Sequence, residues 1–374
     1  MIRLGHERGE FPSEHGRSFD YRTRKPCHTP APAPSRRPQA TLRPLPRYKL
    51  TIAYDGTDFC GWQKQEPFAH ALHANPGTLE DRVRRGTAGE LKFEPQGEVQ
   101  REGEDRPRVQ LRTVQHAVER AVREIVREPV MLLGSSRTDA GVHAKGQVAA
   151  FSCTGDPTDA ETTHDAGTEE SSTKSRVSEP QPPDPSTTPP RQGGWPLSRG
   201  TDRLLLAVNG RLPPDILVTA IDPVATDFDP IGDTKAKAYS YTIHAARTRP
   251  LWDRRYVAHV WETLDPARMH EAAKRIVGEH DFAAFATAGH GRLTTVRTVF
   301  DCSVTRTDEG RIRIDIAGSG FLYNMVRIIA GTLTDVGRGR LTPDDIPRII
   351  ASKDRREAGS TMPPEGLCLE WIRY

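Results

Sequence analysis

The chain has 374 residues, enough for one large or two ordinary domains, yet only 35% of them are hydrophobic, and Gly and Pro stand at 31 each. A composition this polar excludes a chain that is compact throughout. With 53 basic against 50 acidic residues, the formal charge of +3 neither demands nor excludes a nucleic-acid partner, so local clustering must decide.

Residues 1–46 come first, an Arg-, Ser- and Pro-rich stretch without a secretory apolar core. They read as a disordered tail or an organelle transit peptide; Glu7, Glu10, Glu14 and Asp20 speak against the latter, since such peptides avoid acids. The expected location is therefore cytoplasmic, or plastid or mitochondrial if the tail is a transit peptide. Tyr48, Leu50, Ile52 and Tyr54 then alternate as a half-buried strand does. The Tyr54-Asp-Gly and Gly61-Trp-Gln turns follow, in which Trp62 is either core or a nucleic-acid contact. Residues 66–111 mix Gly, Glu, Arg and Pro without period and read as a polar insertion. Thr113 is placed to cap a helix whose stripe is Val114, Ala117, Val118, Ala121, Val122 and Ile125. Strands are expected over 130–134 and 146–152, flanking Gly134-Ser-Ser-Arg-Thr-Asp-Ala-Gly-Val-His. Residues 153–200, rich in Thr, Ser, Asp, Glu and Pro, form a second insertion whose acids would repel phosphates. A short helix over 202–209 and a strand over 216–221 complete a β-α-β-β-α-β order.

The second half repeats that order. It has a strand over 238–244, then a helix opened by Asp265 and Pro266, with Met269, Ala272, Ala273, Ile276 and Val277 inward and Gly278 as its stop. A hairpin follows over 297–304 and 311–317, then an apolar helix over 321–336, a helix near Thr342-Pro343, and a last strand over 367–374. The expectation is an α+β fold: two ferredoxin-like halves, 47–221 and 222–374, forming a joined mixed sheet with a central cleft between them.

Chemistry concentrates in the loop between the first pair of flanking strands. Asp139 stands two residues after Arg137 and is followed by Ala140 and Gly141, small neighbours that let a flat substrate approach a carboxylate. A carboxylate beside a fixed cation stays ionised, as a nucleophile must, although Asp and Gly are also ordinary turn residues. Arg327, among apolar neighbours, needs a partner, either a structural acid or Asp139. Tyr239 and Tyr241 alternate on a strand beside Lys235 and Lys237; they are packing residues, or a base-stacking face with phosphate-holding lysines. Leu367 reads as core. Five cysteines without a Cys-x-x-Cys pair argue against a zinc knuckle or a disulfide framework and for a reducing compartment. No metal-ligand spacing occurs among the 13 His, no phosphate-binding Gly loop is present, and no apolar run approaches a membrane span of about 18 residues. No metal and no cofactor are expected.

The run Arg137 to His143 resembles, almost letter for letter, the signature of the TruA family of tRNA pseudouridine synthases. Tyr54-Asp-Gly, Gly61-Trp-Gln, Thr113-Val-Gln, Lys237-Ala-Tyr-Ser-Tyr, Asp281-Phe, Phe321 to Arg327 and Glu365-Gly-Leu follow in that family's order. The resemblance implies a homodimeric, metal- and cofactor-free isomerase acting on uridines 38 to 40 in the anticodon stem-loop of tRNA. It implies Asp139 as the nucleophile, Arg137 holding the flipped-out nucleotide and Tyr239 stacking on the uracil. It also implies Arg327 pairing with Asp139 and Leu367 walling the uracil pocket, and Lys237, beside Tyr239, is a further substrate-binding candidate. The chain departs from the family where Phe228-Asp-Pro-Ile replaces Phe-x-Ala-Arg, which removes one arginine. The alternatives are an inactive RNA-binding module of the same fold, a synthase acting on other RNA sites, and an unrelated ferredoxin-like metabolic enzyme.

Overall fold

The computed structural model describes residues 45–65, 111–154, 194–195, 199–287, 293–307 and 310–374, together with the backbone of a two-residue ladder between β2 (Glu98–Val99) and β3 (Arg108–Val109). The expected tail and most of the two expected insertions lie outside the described residues. The first strand, β1 (Arg47–Tyr54), is followed after that ladder by α1 (Val114–Val126), β4 (Leu133–Gly134), β5 (His143–Ser152), α2 (Thr201–Asn209) and β6 (Ile216–Val224). Then come β7 (Ala236–Ala245), β8 (Ala258–Val260), α3 (Pro266–Lys274), β9 (Gly278–Asp281), β10 (Val296–Arg306) and β11 (Ile312–Gly318). The described chain closes with α4 (Met325–Gly337), α5 (Asp345–Ser352) and β12 (Leu367–Arg373).

These strands make one mixed, mostly antiparallel sheet along the path β6-β1-β5-β12-β7-β11-β10-β9, with β4 on β5 and β8 on β7. Its β12–β5 and β7–β8 pairings are parallel. At the centre, β12 lies between two strands far from it in sequence. Its ladder with β5 is short, Cys368↔His143 and Leu369↔Ala144, whereas it runs along β7 from Leu367↔Tyr241 to Arg373↔Ala236. The loop that precedes β5 and the turn that precedes β12 are thereby brought side by side.

Helical stripes account for the layer that covers this sheet. On α1, Val114, Val118, Ala121, Val122 and Val126 are buried, and each valine withdrawn from water contributes about 1.5–3 kcal/mol. Thr113 is extended as a cap residue should be, but its side chain does not cap. Its Oγ1 is buried without a partner among the described residues, while the amides of Val114 and Gln115 donate to the carbonyls of Gly61 and Trp62. A neighbouring loop has replaced the expected hydroxyl, which satisfies the same orphan donors. Asp265, in contrast, caps α3 as expected, accepting from Ala267 N and Arg268 N with Pro266 in the first turn.

Several boundaries differ from the periodicity. The apolar run 321–336 becomes helical only at Met325, because Asn324 takes a left-handed backbone (φ 61°) that ends the preceding turn. Helix α3 stops at Lys274, so Val277 faces solvent rather than the core, and Gly278 opens β9, an edge strand that periodicity did not reveal. Only Leu133–Gly134 of the expected 130–134 strand is paired. Leu111, Cys153 and Trp195, all inside the expected insertions, belong to the core, and the carbonyl of Trp195 accepts from Tyr48 Oη at 2.8 Å.

Candidate active site

The loop between β4 and β5 is held on three sides. Trp62 N donates to Thr138 O, Gly141 N to Phe59 O and Val142 N to Asp139 O. Tyr54 Oη and Thr138 Oγ1 are 2.7 Å apart. The loop rests so closely on the 56–62 segment that a Cβ on Gly61, itself at φ +93°, would stand 2.7 Å from Thr138 O and 3.1 Å from the Asp139 carbonyl carbon. Only glycine fits there. Trp62 is 2% exposed and lies under the loop against Gly134, so it is core and is not available to stack on a base.

Asp139 leaves this cradle with its carboxylate about one-quarter exposed, and Arg327 Nη1, from the first turn of α4, lies 3.5 Å from Asp139 Oδ2. The guanidinium is fixed by two further bonds, from Nε to Met362 O at 2.7 Å and from Nη1 to Asn324 Oδ1 at 3.0 Å. Arg327 is thus a cation that meets Asp139. Arg137, two residues before the aspartate, is exposed.

Tyr239 lines the same place. Its hydroxyl meets Ser136 Oγ at 2.8 Å, and its ring stands edge-on to Phe321. Burial pushes its pKa up; the Ser136 hydrogen bond opposes this, the Asp139 charge adds to it, and the result is about 12, so at neutral pH it is a phenol and not a phenolate. Tyr241 points to the same side but is a packing residue that donates to Pro363 O. Leu367 is buried opposite Tyr241 in the β12–β7 register, on the Tyr239 side of the sheet. Lys237 Nζ donates to Ser135 O at 2.7 Å and so ties β7 to the start of the loop. Asp139, Arg327 and Tyr239 are therefore brought together, with Leu367 and Lys237 on adjacent strand positions.

Residues 272–374 match the family described as tRNA pseudouridine synthase. The chain is 35% identical over 326 residues to tRNA pseudouridine synthase A 2 of Clostridium perfringens, covering 87% of this chain and 98% of that one. It is 36% identical over 327 residues to tRNA pseudouridine synthase A of Geotalea uraniireducens and 35% identical over 327 to that of Geobacter sulfurreducens, with the same coverage. The chain belongs to the TruA family of tRNA pseudouridine synthases.

Within this family site, sequence reasoning missed the groups that orient the loop. Gln147, fully buried, accepts from Ser136 N and donates to Ser136 O, which locks the residue under Tyr239. The β1–β5 register shifts between Ile52 and Tyr54, so His143 points to the opposite face from Gln147. There His143 Nδ1 accepts from Gly56 N and Nε2 meets Arg255 O at 2.8 Å, while Asp55 accepts from Tyr256 Oη and Thr57. Both residues lie in quoted motifs, but their side-chain partners are too distant in sequence to be read. The turn at Phe228-Asp-Pro-Ile is held by Arg47 Nε on Phe228 O and by Tyr374 Oη on Pro230 O.

Burial pushes the Asp55 carboxyl up, but the neighbouring His143 ring and hydrogen bonds from Thr57 and Tyr256 outweigh it and hold the group well below the usual carboxylate range. A depressed folded pKa stabilises above the unfolded value of about 3.9 and ceases to do so as pH falls through the folded value. Asp55→Asn is therefore expected to lower Tm at pH 7 by about 2–6 °C. Its gap to the wild type should narrow below about pH 4, as thermal melts across pH will show. A gap unchanged down to pH 2 would contradict this.

Among the described residues, no group of three or more His, Cys, Asp or Glu could hold a metal ion, and no helix is long and apolar enough to cross a membrane.

Proposed function

We propose that the chain isomerises uridine to pseudouridine in tRNA, at positions 38 to 40 of the anticodon stem-loop, with Asp139 as the nucleophile. The observation that carries this reading is the Asp139–Arg327 pair beside the phenol of Tyr239. A carboxylate paired with a guanidinium, and still part-exposed, can attack the ribose C1′ region. The Asp139–C1′ bond forms as the N1–C1′ bond breaks, the uracil turns over the Tyr239 and Leu367 surface, and C5 bonds to C1′ as the Asp139 carboxylate leaves. The proton on C5 is lost and N1 gains one, so the atoms balance without an external donor. The uridine must be extruded from its stem, and Arg137 is the exposed cation nearest in sequence to hold its backbone.

We read the fold as two ferredoxin-like halves. The orders β6-β1-β5-β4 and β12-β7-β11-β10 support this, being the same 4-1-3-2 arrangement of successive strands. Family membership supports a homodimer and, with the tail unassigned, a cytoplasmic or organellar location.

The test is release of tritium from [5-3H]uridine in tRNA, with pseudouridine mapped in the product. Release mapped to positions 38 to 40 supports the whole reading, and release from other uridines would correct the site alone. Binding of tRNA without release under any condition would replace the enzyme with an RNA-binding module.

RNA affinity has a second support in the connection from β7 to β8. Arg247, Arg249, Leu251, Trp252 and Arg254 are exposed there, Trp252 at 90%. Guanidinium groups beside an open indole suit phosphates and an unstacked base. Arg247, Arg249 and Arg254 all changed to Ala is expected to reduce the slope of log K against log salt by about 2–3 in filter binding. An unchanged slope would remove this surface from the RNA contact.

A further inference from the structure

Asn324 stands at the entrance to α4 with a left-handed backbone, yet it makes no side-chain cap to the helix. Its amide bridges two other groups. Oδ1 accepts from Arg327 Nη1 at 3.0 Å, and Nδ2 donates to Thr287 Oγ1 at 3.1 Å. Thr287 N in turn donates to the carbonyl of Tyr323, so Thr287, two residues after the 3-10 turn Ala283–Phe285, is fastened to the helix entrance by backbone and side chain together.

The consequence lies in the geometry of a guanidinium, whose N–H bonds share one plane and fixed directions. Nε is committed to Met362 O and one Nη1 hydrogen to Asn324 Oδ1, which sets both the position and the rotation of the plane. The second Nη1 hydrogen is then available to Asp139 Oδ2 at 3.5 Å. Without Asn324, the plane is free to turn about the Nε–Met362 bond and to draw either closer to the carboxylate or away from it. Asparagine suits the task because it tolerates the left-handed backbone and offers a neutral acceptor on one atom and a donor on the other. An acid here would compete with Asp139 for the cation.

We propose that Asn324, braced by Thr287, is a positioning residue that aims Arg327 at Asp139; this rests on the reading of Asp139 as nucleophile. Four variants separate the roles. Asn324→Gly keeps the backbone and loses both bonds; kcat for tritium release should fall about tenfold with KM for tRNA within twofold. Asn324→Ala should fall equally in kcat but melt lower than the Gly variant, because only the backbone cost differs. Asn324→Asp, with a second carboxylate on Arg327, should fall further than Gly. In an Arg327→Ala background, Asn324→Gly should cost no more than twofold, since the residue acts through the guanidinium.

A Gly variant within twofold of wild-type kcat overturns the proposal. So does a tenfold loss that persists undiminished in the Arg327→Ala background, or an Asp variant as active as wild type. Asp139→Asn is measured alongside. If it retains activity, the nucleophile reading has failed; if it is inactive while Asn324→Gly is normal, only the positioning role has failed.

Discussion

Asp139→Asn is expected to bind tRNA within about twofold of the wild type and to release tritium at least about 10⁴-fold more slowly, the scale on which removal of a covalent nucleophile acts. The substitution is nearly isosteric, and the loop beneath it is held by backbone bonds from Trp62, Gly141 and Val142 that do not involve the carboxylate. Loss of rate therefore cannot be assigned to loss of the loop. Single-turnover measurements with enzyme in excess separate chemistry from binding, and Tm should stay within about 3 °C. An Asn variant with more than about 1% of wild-type rate would show that another group attacks the sugar.

The second large effect belongs to Arg327. Its side chain is mostly buried, and its three contacts join Asp139 to Met362 and Asn324. Arg327→Ala removes the guanidinium that faces Asp139 and leaves the carbonyl of Met362 without its side-chain donor. A loss of about 10²–10³ in kcat is expected, comparable with removal of one preorganised electrostatic contact. Stability should fall by about 1–3 kcal/mol, less than for a fully buried pair, because Asp139 still reaches water. Arg327→Lys keeps the charge but not the planar fork, so it should recover only part of the rate. A Lys variant indistinguishable from wild type would mean that charge alone matters and that the guanidinium plane does not.

How far the sequence could be read depended on the range of the interaction. Alternation marked Tyr48, Leu50, Ile52 and Tyr54, and the stripe on α1 marked Val114, Val118, Ala121 and Val122, because strand and helix periods are local. Strand order was legible only as a repeat of element types; that β12 enters between β5 and β7 is a long-range fact with no local signal. The site followed the same division. Asp139, Arg327 and Tyr239 were found through motif resemblance, and the ion pair between the first two was foreseen as a buried arginine seeking an acid. Arg137, close in sequence, is exposed, whereas Arg327, far along the chain, is the residue whose Nη1 lies 3.5 Å from Asp139 Oδ2. Gln147, His143 and Asn324 escaped notice because a register shift, a face reversal and a left-handed residue decide their roles, and none of these is written in composition. Trp195 was lost in a stretch whose surroundings are polar.

The insertion of β12 has a consequence for how the protein comes to be active. Asp139 is made early, whereas the Met362 carbonyl that steadies Arg327, and the strand that places Leu367 beside β7, emerge from the ribosome more than two hundred residues later. Until then the early strands have no central partner, and a growing chain can display the carboxylate without the guanidinium that arms it. A chain that ends before β12 therefore lacks the Met362 bond to Arg327 and leaves the facing edges of β5 and β7 without their shared partner, the kind of open edge that invites pairing between chains.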